Sequence, residues 1–167
     1  MSTTANHLGF SYFLARRYDD AIAQLERTVE LGPELHYPHM ILAWISAKRN
    51  SGEEVLRQAE MALAKMPGDD PYALGTLGWA LGKAGKLDEA RELLTRLESL
   101  APRWIDPSWA AMICDGLGEV AKAVDHWYIA CEQRSPNMVY LKHHPLLDDL
   151  RSDARFQALL RRRSFPA

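Results

Sequence analysis

Residues 71–90 read PYALGTLGWALGKAGKLDEA, and this stretch decides the fold. Gly78 follows Leu77, Gly85 interrupts the apolar run, and Asp88-Glu89 lead into Ala90. The same phrase returns along the chain at a spacing of about 34 residues. Small residues recur at Gly9, Ala43, Gly78 and Ala111, and a second series runs Ala21, Val55, Ala90, Ala123. Prolines close three units at Pro33, Pro67 and Pro102, and Ser135-Pro136 stands one residue out of step. A unit of this period is a pair of helices too small to bury its own apolar face, so the units must stack.

The local chemistry supports that reading. Asp19-Asp20, Glu53-Glu54 and Asp88-Glu89 open the second helix of three units. Carboxylates there meet the positive end of the helix dipole. Gly52, Gly85 and Gly118 are expected at the turns between paired helices. The pattern predicts helices over 3–15, 18–31, 36–49, 53–65, 71–84, 87–100, 107–117 and 119–133. After Pro136 the repeat ends. Ser152 is expected to cap a last helix over 153–163 that packs through Phe156, Leu159 and Leu160 onto the helix carrying Trp127. Arg161, Arg162 and Arg163 close it, where positive charge is favourable.

The spacing of Leu8-Gly9, Leu42-Ala43, Leu77-Gly78 and Ala110-Ala111, with Tyr12 and Leu81 three residues further on, resembles the tetratricopeptide repeat (TPR). The Trp slot of that pattern departs most, holding Ala5, His39, Leu74 and Pro107. The resemblance implies an all-α, right-handed tetratricopeptide-repeat superhelix of four helical hairpins plus a C-terminal capping helix. It divides one domain, 1–167, into repeats at about 2–35, 36–70, 71–103 and 104–136, with a cap at 137–163. The segment from Arg134 onward is also similar to the end of TPR regions in bacterial multidomain signalling proteins. In those proteins the repeats accompany transcriptional activators, nucleotide cyclases or Ser/Thr kinases.

In the TPR fold, first-helix positions just after the small-residue slot face a concave groove. Here they hold Phe10, Trp44, Trp79 and Met112, with Tyr37, Met40 and Tyr72 earlier on the same face. Such a ladder implies an apolar partner surface for a protein or peptide, for the chain's own C-terminal segment, or for a second copy. Lys48 and Lys83 lie near the groove edge, and Asn6 is an inner-face amide. Trp104 and Trp109 flank the entry to the fourth repeat, suited to anchoring a partner or packing that loop. Phe10, Tyr12, Phe13 and Leu14 make the first helix apolar on several sides. No cap precedes that helix, so the chain is expected to be part of a longer protein or to pair as a homodimer through this face.

Other function classes find little support. The net charge is −2, with −6 over residues 1–133 and +4 over 134–167, which suggests a basic tail docking on an acidic body. No basic patch is interleaved with aromatics, so nucleic acid is not expected. No apolar run reaches membrane-spanning length, and no signal peptide is read, so a cytoplasmic setting is expected with no membrane partner. Cys114 and Cys131 do not form a metal or redox pair and read as small core residues. His36 and His39 lack further ligands at a zinc spacing. No phosphate loop, nucleophile elbow or HExxH motif occurs. The expectation is a non-catalytic binding scaffold with no cofactor and no metal. The alternative is a regulatory or oligomerisation module of a larger signalling protein.

Overall fold

The computed structural model describes residues 2–100 and 105–162, with the backbone alone for residues 2–6. Four antiparallel helix pairs follow one another. They are α1 (Ser2–Leu14) with α2 (Tyr18–Leu31), α3 (Tyr37–Lys48) with α4 (Gly52–Lys65), α5 (Pro71–Lys83) with α6 (Leu87–Ser99), and α7 (Pro107–Gly116) with α8 (Val120–Glu132). Three short 3-10 turns over Pro136–Tyr140, Pro145–Leu147 and Asp149–Ser152 lead to α9 (Ala154–Arg162). The described residues contain no strand. The structure is therefore the all-helical repeat solenoid that the spacing implies.

Each hairpin turn is built the same way. Arg17, Ser51, Lys86 and Glu119 each donate their backbone N–H to the carbonyl five residues back, on Tyr12, Ser46, Leu81 and Cys114, all at 2.9 Å. This bond closes a Schellman-type cap, which requires one left-handed residue just before the donor. Gly85 and Gly118 supply it at φ +78° and +76°. In the first two hairpins Arg16 (φ +61°) and Asn50 (φ +57°) supply it instead. Gly52 is thus not the turn residue of its hairpin; it is the first residue of α4. The two helices α5 and α7 start alike, with an aspartate cap followed by proline. Asp70 accepts from the Ala73 N–H and Asp106 from the Ser108 N–H, each at 2.9 Å.

The first helices, α1, α3, α5 and α7, pack successively on one another and form the inner layer. The second helices carry one buried stripe each, such as Ala90, Leu93 and Leu97 on α6, with a polar face outside. By contrast α3 is buried without interruption from Pro38 to Ala47, and α5 from Ala73 to Gly82. A helix hidden on every side needs a fourth neighbour beyond its own partner and the two adjacent repeats. That neighbour is the segment between α8 and α9.

Close approach of α5 and α7 depends on glycine. A Cβ on Gly78 would stand 2.7 Å from Ile113 Cγ1, and one on Gly75 2.8 Å from Trp109 Cβ. A Cβ on Gly82 would stand 2.4 Å from the carbonyl carbon of Gly116. These contacts lie between consecutive repeats. In the first hairpin the equivalent glycine works within its own unit, since a Cβ on Gly9 would meet Leu25 at 2.7 Å.

The last helix caps the stack. Phe156 and Leu159 are fully buried and Leu160 partly so. Its N-cap is Asp153, whose Oδ1 accepts from the N–H groups of Arg155 and Phe156 at 2.9 Å. Ser152, the expected cap, instead donates to the Asp149 carbonyl. On α8, α9 meets Tyr128, whose hydroxyl donates to the Arg155 carbonyl at 3.1 Å, and Asp125, which pairs with Arg155. Trp127 is buried too, but it faces the inner cleft. Arg163 and Trp104 lie outside the described residues, as does the side chain of Asn6.

Candidate functional site: an aromatic cleft on the concave face

The concave groove is crossed by the chain's own residues 136–152. Entry is fixed by a buried polar knot. Ser135 Oγ donates to Asp106 Oδ2 at 2.5 Å, and Asn137 Nδ2 donates to Asp106 Oδ2 at 3.2 Å and to Ser108 Oγ at 2.8 Å. The Asp106 carboxylate therefore caps α7 with one oxygen and tethers the crossing segment with the other. Leu141, Leu146, Leu147 and Leu150 are then buried. At the far side Asp148 receives Arg16 through two parallel bonds of 2.6 and 2.8 Å, and Lys48 at 3.3 Å. Lys83 bridges Asp149 at 2.8 Å and Asp115 at 3.4 Å. The two lysines at the groove edge thus hold the acidic pair of the segment.

Charge and burial act together at this crossing. The Arg16 and Arg151 guanidinium groups hold the Asp148 carboxyl well below the usual carboxylate range. Burial pushes the Asp115 carboxyl up, although Lys83 stands beside it and Trp79 Nε1 donates to it at 2.7 Å. His144 is pushed down to about 4, because burial disfavours its charged form. Its ring lies between 5.8 and 6.2 Å from the rings of Phe10, Phe13, Trp44 and Tyr140.

What stays open is a cleft of about 350 Å³ between the inner helices and the crossing segment. Phe10, Tyr37, Tyr72 and Met112 line it, as the ladder predicts. Thr76, Trp109 and Trp127 complete the helical wall, and Asn137, Tyr140, His144 and Leu147 form the other. Tyr37 stacks on Tyr72 at 6.2 Å, and Tyr72 meets Trp109 edge-on at 5.1 Å. Burial raises the phenols of both tyrosines.

Three ladder residues take another role. Met40, Trp44 and Trp79 are at most 1% exposed. Trp44 is sealed by Phe10, Phe13, Tyr72 and His144, so it is part of the core and offers a partner no surface. The proposed pairing face on α1 is also corrected. Phe13 is fully buried against Tyr18, Trp44 and His144, and Phe10 is half-buried in the cleft wall. Tyr12 and Leu14 remain half-buried, with the Arg17 guanidinium 4.6 Å over the Tyr12 ring.

Sequence reasoning missed Trp127, Asn137 and His144 as cleft residues, and it missed Tyr140. The acidic pair Asp148-Asp149 opposite Lys48 and Lys83 was the available signal. Elsewhere, His39 is buried, and its Nδ1 lies 2.7 Å from Gln58 Oε1. Cys114 is buried and its thiol is pushed up to about 11 by desolvation, which suits a core residue. Among the described residues no group of metal-ligating side chains gathers, and no helix is long and apolar enough to cross a membrane.

The tetratricopeptide repeat family matches residues 2–32, which is the first hairpin. No curated protein and no solved structure matches the chain. The chain thus carries a tetratricopeptide repeat in its first hairpin, followed by three further helical hairpins of the same build.

Proposed function

We propose that the protein is a non-catalytic scaffold that binds a protein or peptide partner across the mouth of its concave cleft. Tetratricopeptide repeats generally mediate protein–protein interaction, and the observation that carries the reading here is the aromatic rim. Tyr37, Tyr72 and Trp109 stand half-buried along the helices, while Val139 and Tyr140 are 59% and 45% exposed on the crossing segment. Aromatic groups that present one wet edge are typical anchors of binding surfaces. The partner surface is therefore narrower than the full ladder and includes residues of the C-terminal segment. The ordinary way to test it is to capture a partner from source lysate and repeat the capture with Tyr140→Asp and Tyr37→Asp. Loss of the same partner with unchanged thermal melting supports the reading. Capture unaffected by both changes contradicts it.

The regulatory alternative draws on the first helix. Leu8 is 43% exposed one turn before half-buried Tyr12, an apolar strip suited to a neighbouring domain or a second copy. Light scattering tests the second-copy form. A dimer weakened by Leu8→Asp supports it, and a monomer at high concentration removes it.

A further inference from the structure

The interior of the cleft has a chemistry distinct from its rim. Its volume of about 350 Å³ falls within the range of small-molecule sites. Among the described residues no Lys, Arg, Asp or Glu lines it. The titratable base of the described wall, His144, is held uncharged at neutral pH by its burial. A charged guest would therefore lose its hydration with no counter-charge to receive it. The walls are ring faces and edges, with Tyr72 and Trp109 already at right-angled contact, and flat guests satisfy such walls by stacking or edge contact.

On the crossing segment, the polar group free to orient a guest is His144. His144 Nδ1 accepts the Leu146 N–H at 3.3 Å, which places the ring proton on Nε2. Among the described residues no acceptor takes that Nε2–H. On the same segment Asn137 spends its amide N–H groups on Asp106 and Ser108. The cleft thus sets the His144 Nε2–H in a space walled by aromatic rings, with the unpartnered Trp127 Nε1–H on the opposite, helical wall.

We propose that the cleft binds an uncharged, flat aromatic small molecule of one or two rings that carries a hydrogen-bond acceptor for His144 Nε2–H. Its guest touches the inner helices through Tyr72, Trp109 and Met112 and the crossing segment through His144. Binding consequently fastens residues 137–147 to the groove, and the guest stabilises the segment that forms half of the rim. The site does not depend on the protein-binding reading, because it lies beneath the rim and needs no partner to be measured.

The test is a chemical-shift titration of the isotope-labelled full chain with three probes that share a flat two-ring frame. Quinoline is uncharged at neutral pH and carries an acceptor. Indole carries a donor and no acceptor. Naphthalene-2-sulfonate has the shape and a charge. Quinoline should shift Thr76, Met112 and His144 with a dissociation constant in the low-millimolar range that a guest of this size reaches. Indole should bind about fivefold more weakly, the effect of one neutral hydrogen bond. The sulfonate should not bind at about 10 mM, at least tenfold weaker than quinoline. His144→Phe keeps the aromatic wall and should bring quinoline down to the affinity of indole while leaving indole unchanged. Met112→Trp, checked by circular dichroism, should abolish both by filling the cleft. Overturning results are no quinoline shifts at the cleft, sulfonate binding as tight as quinoline, or a quinoline preference that survives His144→Phe. Protein-partner capture with Tyr140→Asp remains an independent readout, so failure of one reading is distinct from failure of the other.

Discussion

Arg16 ends the first helix in a left-handed conformation and there grips Asp148, 132 residues further along, through two parallel N–H···O bonds of 2.6 and 2.8 Å. The turn geometry that closes the first hairpin is thus also the geometry that aims a guanidinium at the crossing segment. One residue serves the repeat and the closure of the groove.

Asp148→Ala should destabilise the fold by about 1–3 kcal/mol, because the carboxylate accepts charge-assisted bonds from three cations and is mostly shielded. Arg16→Ala should cost less, about 1 kcal/mol, since that side chain is half-exposed and water replaces part of its bonding. Urea unfolding followed by circular dichroism ranks the two. A larger loss for Arg16→Ala would place the key charge on the wrong partner.

The glycine contacts predict an order of damage. Gly82→Ala drives a Cβ into the backbone of Gly116, which cannot swing aside, so the loss should reach about 3 kcal/mol or more. Gly78→Ala meets only the Ile113 side chain and should lose about 1–2 kcal/mol. Gly78→Leu should prevent folding. Thermal melts that show Gly82→Ala as the milder of the two alanine changes would contradict the close approach of α5 and α7.

Acid should loosen the groove before it protonates the Asp148 clamp. The folded pKa of His144 is lowered to about 4 from an ordinary 6.5, so the unfolded chain takes up the proton first. The stability tied to neutral His144 is complete above about pH 6.5 and is lost as pH falls toward 4, by on the order of 3 kcal/mol. Asp148, depressed below the carboxylate range, keeps its contribution until pH falls below about 4. Stability measured against pH should therefore decline between about 6.5 and 4. His144→Phe should flatten that decline, with a residual slope from buried His39, whose pKa burial also lowers. An unchanged slope would show that His144 is not buried in the groove.

Arg134 occupies the left-handed position after α8 at φ +54°, and its side chain is exposed. Glycine relieves that conformation at some entropic cost. Arg134→Gly should stabilise the chain by about 0.5–1 kcal/mol in urea unfolding. A destabilised variant would mean that the turn is not left-handed there.

The repeats were legible because their signal is physical and local. Small residues recur where helices cross, acids recur at helix starts, and the eight repeat helices lie within two residues of their expected ends. The turns were half legible. Gly85 and Gly118 announce a left-handed residue, whereas Arg16 and Asn50 adopt it without a glycine to mark it. The cleft was legible in Phe10, Tyr37, Tyr72 and Met112, since these follow from the repeat register. It was not legible in Trp44, on which His144 closes from outside any period, or in Trp79, whose indole N–H is taken up by the buried Asp115. Long-range pairs such as Arg16 with Asp148 leave no spacing to read.

The most direct test of this account is a nuclear Overhauser experiment on the His144 ring. Its ring centre lies 5.8 Å from that of Phe13 and 6.2 Å from that of Trp44, residues a hundred or more positions away in sequence. Selectively labelled protein should show cross-peaks from the His144 ring protons to both side chains. Cross-peaks confined to the sequence neighbours of His144 would contradict a groove filled by the chain's own C-terminal segment.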